Sequence, residues 1–388
     1  MKLTFVLPTR NRAELAIAAI RSLLAQEGCA VRIVVSDNSS VDEEVRRLAE
    51  FCRNAGDARL LYVRPPESLL MATHWNWAVE QAMERTDGTH FGIQYDRKLW
   101  KPGALGPLAS VCERHPEATV AYGCDVAFQT PSDVATWIPP ATGRLYEIRT
   151  ATLVRLTSAG MVRELGLALP VFANCLAPRA TLERMKARFG SICDSAAPDS
   201  AFTYRLAATE DRYLYLDQAP VLAYAYRLSN GFAYFRGDTR GTYGDWVKLW
   251  GDRPWLEAAP IPGLSLGQNV MFHEYVMVQR AVGEHRFPPI DREGYLRELA
   301  LGLHWIDDPA RLKEMRNVLR EHGWREQRRP LYRRVASRIL APFRRWRVPP
   351  TPTFATEEEA VQYLLQPRPF QAENPDLASL DPIEVAPR

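Results

Sequence analysis

The stretch "TFVLPTRNRAELAIAAIRSLLAQ", residues 4–26, places a short apolar run directly before a helical pattern. The run ends at Pro8, and the pattern that follows has apolar residues near helical spacing: Leu15, Ile17, Ile20 and Leu24. The stretch "RIVVSDNSS", residues 32–40, reads as a second apolar strand and its turn. Strands that are apolar throughout and alternate with helices predict a mostly parallel α/β sheet with helices on both faces.

The same alternation continues to about Tyr122. We predict helices over "VDEEVRRLAEFCRNAG" and "HWNWAVEQAMER", with strands over "ARLLYVRP", "HFGIQY" and "TVAYG". Beyond Gly123 the pattern is coarser, with a helix over "PRATLERMKARFG" and strands in "RYLYLDQAPVLAYAYRL". The chain therefore divides into a domain over 1–230, a helical C-terminal extension over 231–348 and a loosely ordered tail over 349–388.

The composition is that of a globular protein, with 46% hydrophobic and 24% charged residues among 388. A net charge of +3 gives no reason to expect nucleic acid as a partner. The six cysteines show no C-x-x-C spacing, which argues against a zinc site. No apolar run approaches the about 18 residues that cross a bilayer, so we expect a cytoplasmic protein, with contact to the inner face of the membrane left open.

The segment Arg325 to Arg347 holds nine arginines and one acidic residue. Its apolar residues fall on one helical face, which is typical of a basic amphipathic helix on an anionic membrane surface. A solvated basic helix packed on the domain has the same pattern. Both readings remain open from the sequence.

Three polar clusters follow predicted strands. In a parallel sheet the ligand site lies at the carboxyl ends of the strands, so these clusters are the candidate site. They are Pro8, Thr9, Arg10 and Asn11 after the first strand, Asp37, Asn38 and Ser39 after the second, and Asp96, Arg97 and Lys98 after "HFGIQY".

The opening stretch, the Asp-containing turn, "HWNWAVEQA" and "KPGAL" together resemble family 2 glycosyltransferases, which have the GT-A fold. The resemblance covers about residues 2–125 well and 160–230 weakly. It implies a GT-A (nucleotide-diphospho-sugar transferase-like) sheet and transfer of a sugar from a nucleotide sugar, with a UDP-sugar expected. The implied acceptor is a saccharide or a lipid-linked molecule, and inversion is the implied stereochemistry.

The resemblance also implies roles for individual residues. Asp37 matches the family residue that accepts the N–H of a uracil-like base, although it could instead cap the next helix. The residues Pro8 to Asn11 lie where a helix amino terminus receives an anion, although a solvated turn with a helix cap is the alternative. Asn76 falls in a region that lies near the nucleotide and the donor sugar.

An inverting transfer needs a carboxylate near the acceptor hydroxyl, because a proton leaves as the new bond forms. Asp199 is our candidate for this catalytic base, and Asp194 is its rival. The family's acidic residue at this distance from the donor site commonly precedes an apolar helix. Either residue could also be a helix cap for "SAFTYRLAA".

The family motif Asp-x-Asp before the Pro-Gly turn holds Mg²⁺ or Mn²⁺. Here Asp96 falls on the first Asp, while Arg97 and Lys98 stand where the others would be. We therefore expect no metal cofactor, or a weakly required Mg²⁺ or Mn²⁺ on Asp96, with Lys98 and Arg97 stabilising the leaving diphosphate. In the alternative reading both basic side chains point to solvent and the site is inactive.

Two other functions fit the same layout. A nucleotidyltransferase would normally carry a Gly-rich phosphate loop near its amino terminus, and none is present here. A catalytically degenerate scaffold that binds a nucleotide or a partner would account for the irregular "YDRK", residues 95–98.

Overall fold

The computed structural model describes residues 1–129, 132–236, 248, 250–251, 256–306, 308–325 and 352–385. Its strands are β1 Lys2–Thr9, β2 Ala30–Asp37, β3 Leu60–Val63, β4 His90–Ile93, β5 Lys98–Trp100, β6 Val120–Gln129, β7 Val134–Trp137, β8 Arg144–Arg149, β9 Cys175–Pro178, β10 Arg212–Ala223, β11 Thr353–Phe354 and β12 Pro382–Val385. Its helices are α1 Ala13–Leu24, α2 Asp42–Asn54, α3 Met71–Arg85, α4 Leu105–Arg114, α5 Thr150–Ser158, α6 Arg179–Phe189, α7 Pro198–Thr209, α8 Asn230–Arg236, α9 Gly267–Val282, α10 Arg292–Gly302, α11 Pro309–Glu321 and α12 Glu357–Leu365.

The predicted parallel sheet is confirmed for strands β1, β2, β3 and β4. The strand order is β12-β8-β10-β6-β9-β4-β1-β2-β3, and β1 pairs in parallel with both β2 and β4. The register sets Thr9 beside Asp37, so the first two polar clusters begin at the same level. Beyond β4 the sheet is mixed, because β9 runs antiparallel between β4 and β6 while β10 is parallel to β6.

Both faces of the sheet are covered, as the continuous apolar strands predict. Neighbouring residues of β1 enter different buried clusters. Phe5 packs with α1 and α4 residues such as Ile20 and Leu108, while Val6 packs with residues of α3 and α7 such as Trp75 and Phe202. This alternation is what a strand buried on both faces requires.

The described part of the extension after residue 230 contains the helices α8, α9, α10 and α11. Asp291 and Asp308 are the N-cap residues of helices α10 and α11, and their carboxylates accept backbone N–H groups of the first turn. Helix α9 packs against α7 and so joins this extension to the sheet domain. From residue 326 onward the basic segment lies outside the described residues, and its predicted membrane role stays a prediction.

The tail differs from the loosely ordered segment that we expected. Strand β11 pairs with β7, β12 pairs with β8, and α12 buries Ala360, Val361 and Leu364 against β6, β7 and β10. The acidic triplet that suggested disorder is the first turn of α12, where Thr356 and Glu359 form a capping box. Acidic residues favour this position because they complement the helix dipole. In the part of the chain that the structure describes, no helix is long and apolar enough to cross a membrane.

Candidate active site

A cavity of 580 Å³ lies at the carboxyl ends of β1, β2 and β4, where the sheet predicts a ligand site. Residues from α7 and α9 close it on other sides. Of the residues predicted from the sequence, those that line it are Pro8, Thr9, Arg10, Asn38, Asp96, Arg97, Lys98 and Asp199. Those that do not line it are Asn11, Asp37, Ser39, Asn76 and Asp194.

The loop after β1 is held to the loop after β2 by Asn11. Its backbone has φ 54°, a left-handed conformation that Asn tolerates better than most residues. The side-chain Oδ1 accepts the N–H groups of Ser40 and Val41, at 2.9 and 3.1 Å. Asn11 is therefore a structural bridge, and it does not cap α1; the first N–H of α1 instead donates to Glu44 at 2.6 Å.

Asp37 ends β2 fully buried, and protein groups already occupy both of its carboxylate oxygens. Oδ1 accepts the N–H of Ser39 at 2.8 Å, and Oδ2 accepts the hydroxyl of Tyr62 at 2.8 Å. The Arg64 guanidinium lies 3.6 Å from Oδ2. Asp37 does not cap α2, whose cap residue, Val41, has no side-chain hydrogen bond. Its arrangement orders the turn after β2.

Asp96 faces the cavity and is paired with cationic side chains. Thr9 donates its hydroxyl to Oδ2 at 3.0 Å, while Oδ1 lies 3.7 Å from the Arg12 guanidinium and 3.9 Å from Arg97 Nε. A divalent ion needs several oxygen ligands and is repelled by guanidinium groups. Within the described residues no three His, Cys, Asp or Glu side chains converge on a point. These residues do not fit a Mg²⁺ or Mn²⁺ site.

Arg97 is held over two aromatic rings, with its guanidinium carbon 5.8 Å from the centroids of both Tyr95 and Tyr226. Its Nε is buried and has no hydrogen-bond partner. An unpaired buried donor is costly unless a ligand supplies an acceptor. The cavity lining that the structure describes carries four cationic side chains (Arg10, Arg12, Arg97 and Lys98) and two carboxylates, which favours an anionic ligand.

Lys98 is buried, and its ammonium contacts the segment that leads into β9. Its ammonium donates to the carbonyl of Ala173 at 3.0 Å and to Asn174 Oδ1, and it lies 4.6 Å from the Tyr95 ring centroid. Burial lowers the pKa of Lys98, while Cys124 and Asp199 act in the opposite direction. The structure thus brings Lys98 into the surroundings of Asp199, and neither basic side chain of the 97–98 pair points to solvent.

Asp199 lies in the first turn of α7, which begins at Pro198. Tyr95 donates its hydroxyl to Oδ2, and the Ala173 N–H donates to Oδ1 at 3.3 Å. Burial raises the pKa of Asp199, while the Tyr95 hydrogen bond and Lys98 oppose that rise. Burial also raises the pKa of Tyr95, so its hydroxyl keeps the proton that it donates. The result is an oriented carboxylate with raised proton affinity.

Asp194 and Asn76 lie elsewhere. Asp194 accepts the hydroxyl of Thr73 at 3.0 Å and lines a separate pocket of 290 Å³. Asn76 Oδ1 accepts the N–H groups of Ile192 and Cys193 at 2.8 and 3.2 Å, and its amide donates to Glu80. Asn76 therefore supports the segment before α7 and is not among the residues that line the large cavity.

The sequence analysis assigned no role to several residues that line the cavity. Arg12 reaches both Asp96 and the carbonyl of Leu228, and Tyr95 holds Asp199. His74 Nε2 lies 2.8 Å from Ser36 Oγ, and burial, followed by Arg10, lowers the pKa of His74 to about 3, so the ring is neutral. Arg12 directly follows Asn11, and Tyr95 directly precedes Asp96. This adjacency to the predicted clusters was the sequence feature that could have identified both residues.

Residues 4–136 match the model of the family described as Glycosyl transferase family 2. The family resemblance predicted from the sequence is confirmed over this segment. No curated protein matches the chain.

The chain is also similar to solved structures. TarS from S. aureus is 13% identical with a TM-score of 0.45, over 83% of this chain and 52% of TarS, so this chain spans about half the length of that protein. The TarS 1-349 complex with UDP-GlcNAc is 14% identical with a TM-score of 0.44, over 81% of this chain and 84% of that one. Mannosyltransferase PcManGT from Pyrobaculum calidifontis, in complex with GDP-Man and Mn²⁺, is 16% identical with a TM-score of 0.42, over 89% and 82%.

Proposed function

We propose that this chain is a glycosyltransferase that moves a sugar from a nucleoside diphosphate sugar, with a UDP-sugar as donor, to a hydroxyl of a saccharide acceptor, free or lipid-linked. One observation carries this proposal: a single cavity contains an oriented carboxylate, Asp199, together with a group of guanidinium side chains. The carboxylate suits removal of a proton, and the guanidinium groups suit the charge of a leaving diphosphate.

Arg10, Arg12 and Arg97 supply the charge at the donor end. Guanidinium groups bind phosphate oxygens through paired N–H donors, and in a buried site they act more strongly than in water. Arg97 Nε is buried 3.9 Å from Asp96 Oδ1 and has no hydrogen-bond partner, so a diphosphate oxygen could accept its N–H. These side chains carry the positive charge that a divalent ion supplies in other transferases, so we expect transfer without added metal.

The acceptor hydroxyl attacks the anomeric carbon as its proton passes to Asp199. The new bond joins the acceptor oxygen to the anomeric carbon, the bond from that carbon to the diphosphate oxygen breaks, and the nucleoside diphosphate leaves with the bonding electrons. Attack from the side opposite the diphosphate inverts the configuration. Tyr95 and the Ala173 N–H hold Asp199 in one orientation throughout.

A binding and turnover experiment tests this function. The purified full chain is titrated with UDP by calorimetry, and release of UDP from a panel of UDP-sugars is measured in excess EDTA and then with Mn²⁺. We expect UDP binding and turnover that EDTA leaves unchanged. Turnover that requires Mn²⁺ would contradict the guanidinium role, and an absence of both binding and turnover would contradict the proposed function.

A non-catalytic nucleotide-binding scaffold is the second candidate. It is favoured by Asp96, whose carboxylate is already paired with Arg12 and Arg97. The same experiment separates the two candidates, because the scaffold would bind UDP without releasing it from any UDP-sugar.

A further inference from the structure

The hairpin of β6 and β7 presents an aromatic surface beside the cavity. Val126 pairs with Trp137, and Phe128 pairs with Ala135, in an antiparallel register. Residues directly opposite each other, and residues two apart on one strand, share a face of a sheet. These four side chains therefore lie on one face of the hairpin.

That face is open to solvent at its two aromatic residues. Trp137 is 46% exposed and Phe128 is 38% exposed, although both are large and apolar. Trp137 and Val126 also line the 580 Å³ cavity. The aromatic shelf, defined as Phe128 and Trp137, thus leads outward from the cavity that contains Asp199.

The opposite face of the hairpin is buried and firmly held. Ala127, Val134 and Thr136 are each at most 2% exposed, and α12 covers this side. The backbone N–H and the hydroxyl of Thr136 both donate to the carbonyl of Pro352, at 3.2 and 2.9 Å. The tail therefore fixes the strand that carries Trp137, and a shelf fixed in advance binds a ligand at lower entropic cost.

We propose that the aromatic shelf is the platform on which the saccharide acceptor lies while its terminal hydroxyl reaches Asp199. This inference rests on the proposed function and adds the binding subsite for the acceptor. A sugar ring has one face of C–H groups that packs on an aromatic ring, and hydroxyl groups around its edge that stay in water. Exposed aromatic residues that continue the cavity are the surface such a ring needs.

The chemistry of the hairpin favours a saccharide over a membrane. The residues from Val126 to Trp137 include Asp133 and no lysine or arginine. Binding to an anionic lipid surface depends on basic residues near the surface. Phe128 and Trp137 are diagonal neighbours on this face of the hairpin, so together they form one extended apolar surface on which sugar rings can pack.

The test uses the full chain with UDP present, and immobilised short gluco-, manno- and chito-oligosaccharides as probes. We expect binding to a subset of these oligosaccharides, a loss of at least about tenfold in Trp137→Ala, and recovery in Trp137→Phe. The matched control is Tyr363→Ala, which removes an aromatic residue that is 39% exposed on α12, the helix covering the opposite face of the hairpin. Its binding should equal that of the unmodified chain.

Two results would overturn the platform. One is a UDP-bound chain that binds no oligosaccharide, or binds only vesicles of phosphatidylcholine and phosphatidylglycerol. The other is binding that survives the double variant Phe128→Ala/Trp137→Ala with unchanged affinity. UDP binding is measured on the same samples to show that each variant is folded, and the Tyr363→Ala control should bind UDP as the unmodified chain does. Failure of UDP binding in the unmodified chain would instead count against the proposed function.

Discussion

The loops after β2 and after β4 both end parallel strands with charged residues, yet their side chains serve different purposes. In the β2 loop, Asp37 binds Ser39 and Tyr62, and its carboxylate is fully buried. In the β4 loop, Asp96 and Arg97 line the cavity. The β2 loop is a framework, whereas the β4 loop is reactive.

The comparison shows that a residue's position at the end of a strand does not by itself determine its function. The framework loop satisfies its polar groups internally, which gives the cavity a rigid wall. The reactive loop leaves charge in the cavity and lets Tyr95 hold Asp199, a residue 104 positions away in sequence. We therefore expect substitutions in the reactive loop, after β4, to change the rate of transfer. Substitutions in the framework loop, after β2, should change the stability of the fold.

The largest effect on transfer is expected at Asp199. Asp199→Asn removes the proton acceptor but keeps the shape of the side chain, so kcat should fall by about 10²–10⁴-fold. UDP affinity, measured by calorimetry, should stay the same because the donor contacts remain. The matched control is Asp194→Asn, since Asp194 lines the separate 290 Å³ pocket.

The pH profile sharpens the same comparison. Burial raises the pKa of Asp199, and a base must be deprotonated to act, so activity should fall on acidification above the ordinary range for Asp. Equal losses of kcat in the Asp194 and Asp199 variants would mean that the structure does not distinguish the two carboxylates. A profile that remains flat down to the ordinary Asp range would exclude Asp199 as the base.

The second effect concerns the reactive arginine. Arg97→Gln removes a cation held between Tyr95 and Tyr226, and loss of charged hydrogen bonds to a diphosphate, about 1.5–3 kcal/mol, weakens binding by about 10–100-fold. UDP affinity and kcat are measured in EDTA. The control is Arg64→Gln, a framework residue that donates to the Ser39 carbonyl at 2.7 Å. If both variants bind UDP equally well, the loop after β4 contributes no more to UDP binding than the loop after β2.

Much of this site was predictable, and the limits have physical causes. Continuous apolar strands predict the parallel sheet, and the sheet predicts which loops meet at the cavity. Whether a side chain such as Asp37 or Asp96 faces that cavity depends on the turn geometry, which local pattern does not specify. Tyr95 and Asp199 meet only through the tertiary fold. The prediction for the tail was wrong because the acidic triplet was read as a sign of disorder. The spacing of Thr356 and Glu359 instead matches a capping box at the start of a helix.

A third prediction separates two roles for Asp37. If Asp37 is framework, Asp37→Ala should lower the free energy of unfolding by about 1.5–3 kcal/mol, because Tyr62 and the Ser39 N–H lose a charged acceptor. UDP affinity of the folded variant should then stay close to that of the unmodified chain. Urea denaturation and calorimetry measure the two quantities. A tenfold loss of UDP affinity with unchanged stability would instead support the base contact that the family resemblance implies.

The smallest effect on transfer is expected at Glu274, which lies in α9 behind the segment leading to Asp199. It is buried, it accepts the Ala197 N–H at 2.9 Å, and Ser195 also donates to it. Burial raises the pKa of Glu274 from 4.5 to about 7, while those hydrogen bonds and Arg205 oppose the rise. The native state therefore binds more protons than the unfolded state between these two values.

The sign of the pH effect follows from this difference. Stability from protonated Glu274 is fully present below pH 4.5 and is lost as the pH rises through about 7, so the free energy of unfolding should fall across that range. Glu274→Gln keeps an acceptor for the Ala197 N–H but cannot ionise, so its stability should decline less over the same range. Urea denaturation at several pH values measures both proteins, and the difference between them isolates Glu274 from other groups. Glu274 does not line the cavity, so kcat at neutral pH should not change. A parallel pH dependence of stability in the two proteins would contradict the raised pKa of Glu274. A lower kcat in the variant would show that Glu274 also supports transfer.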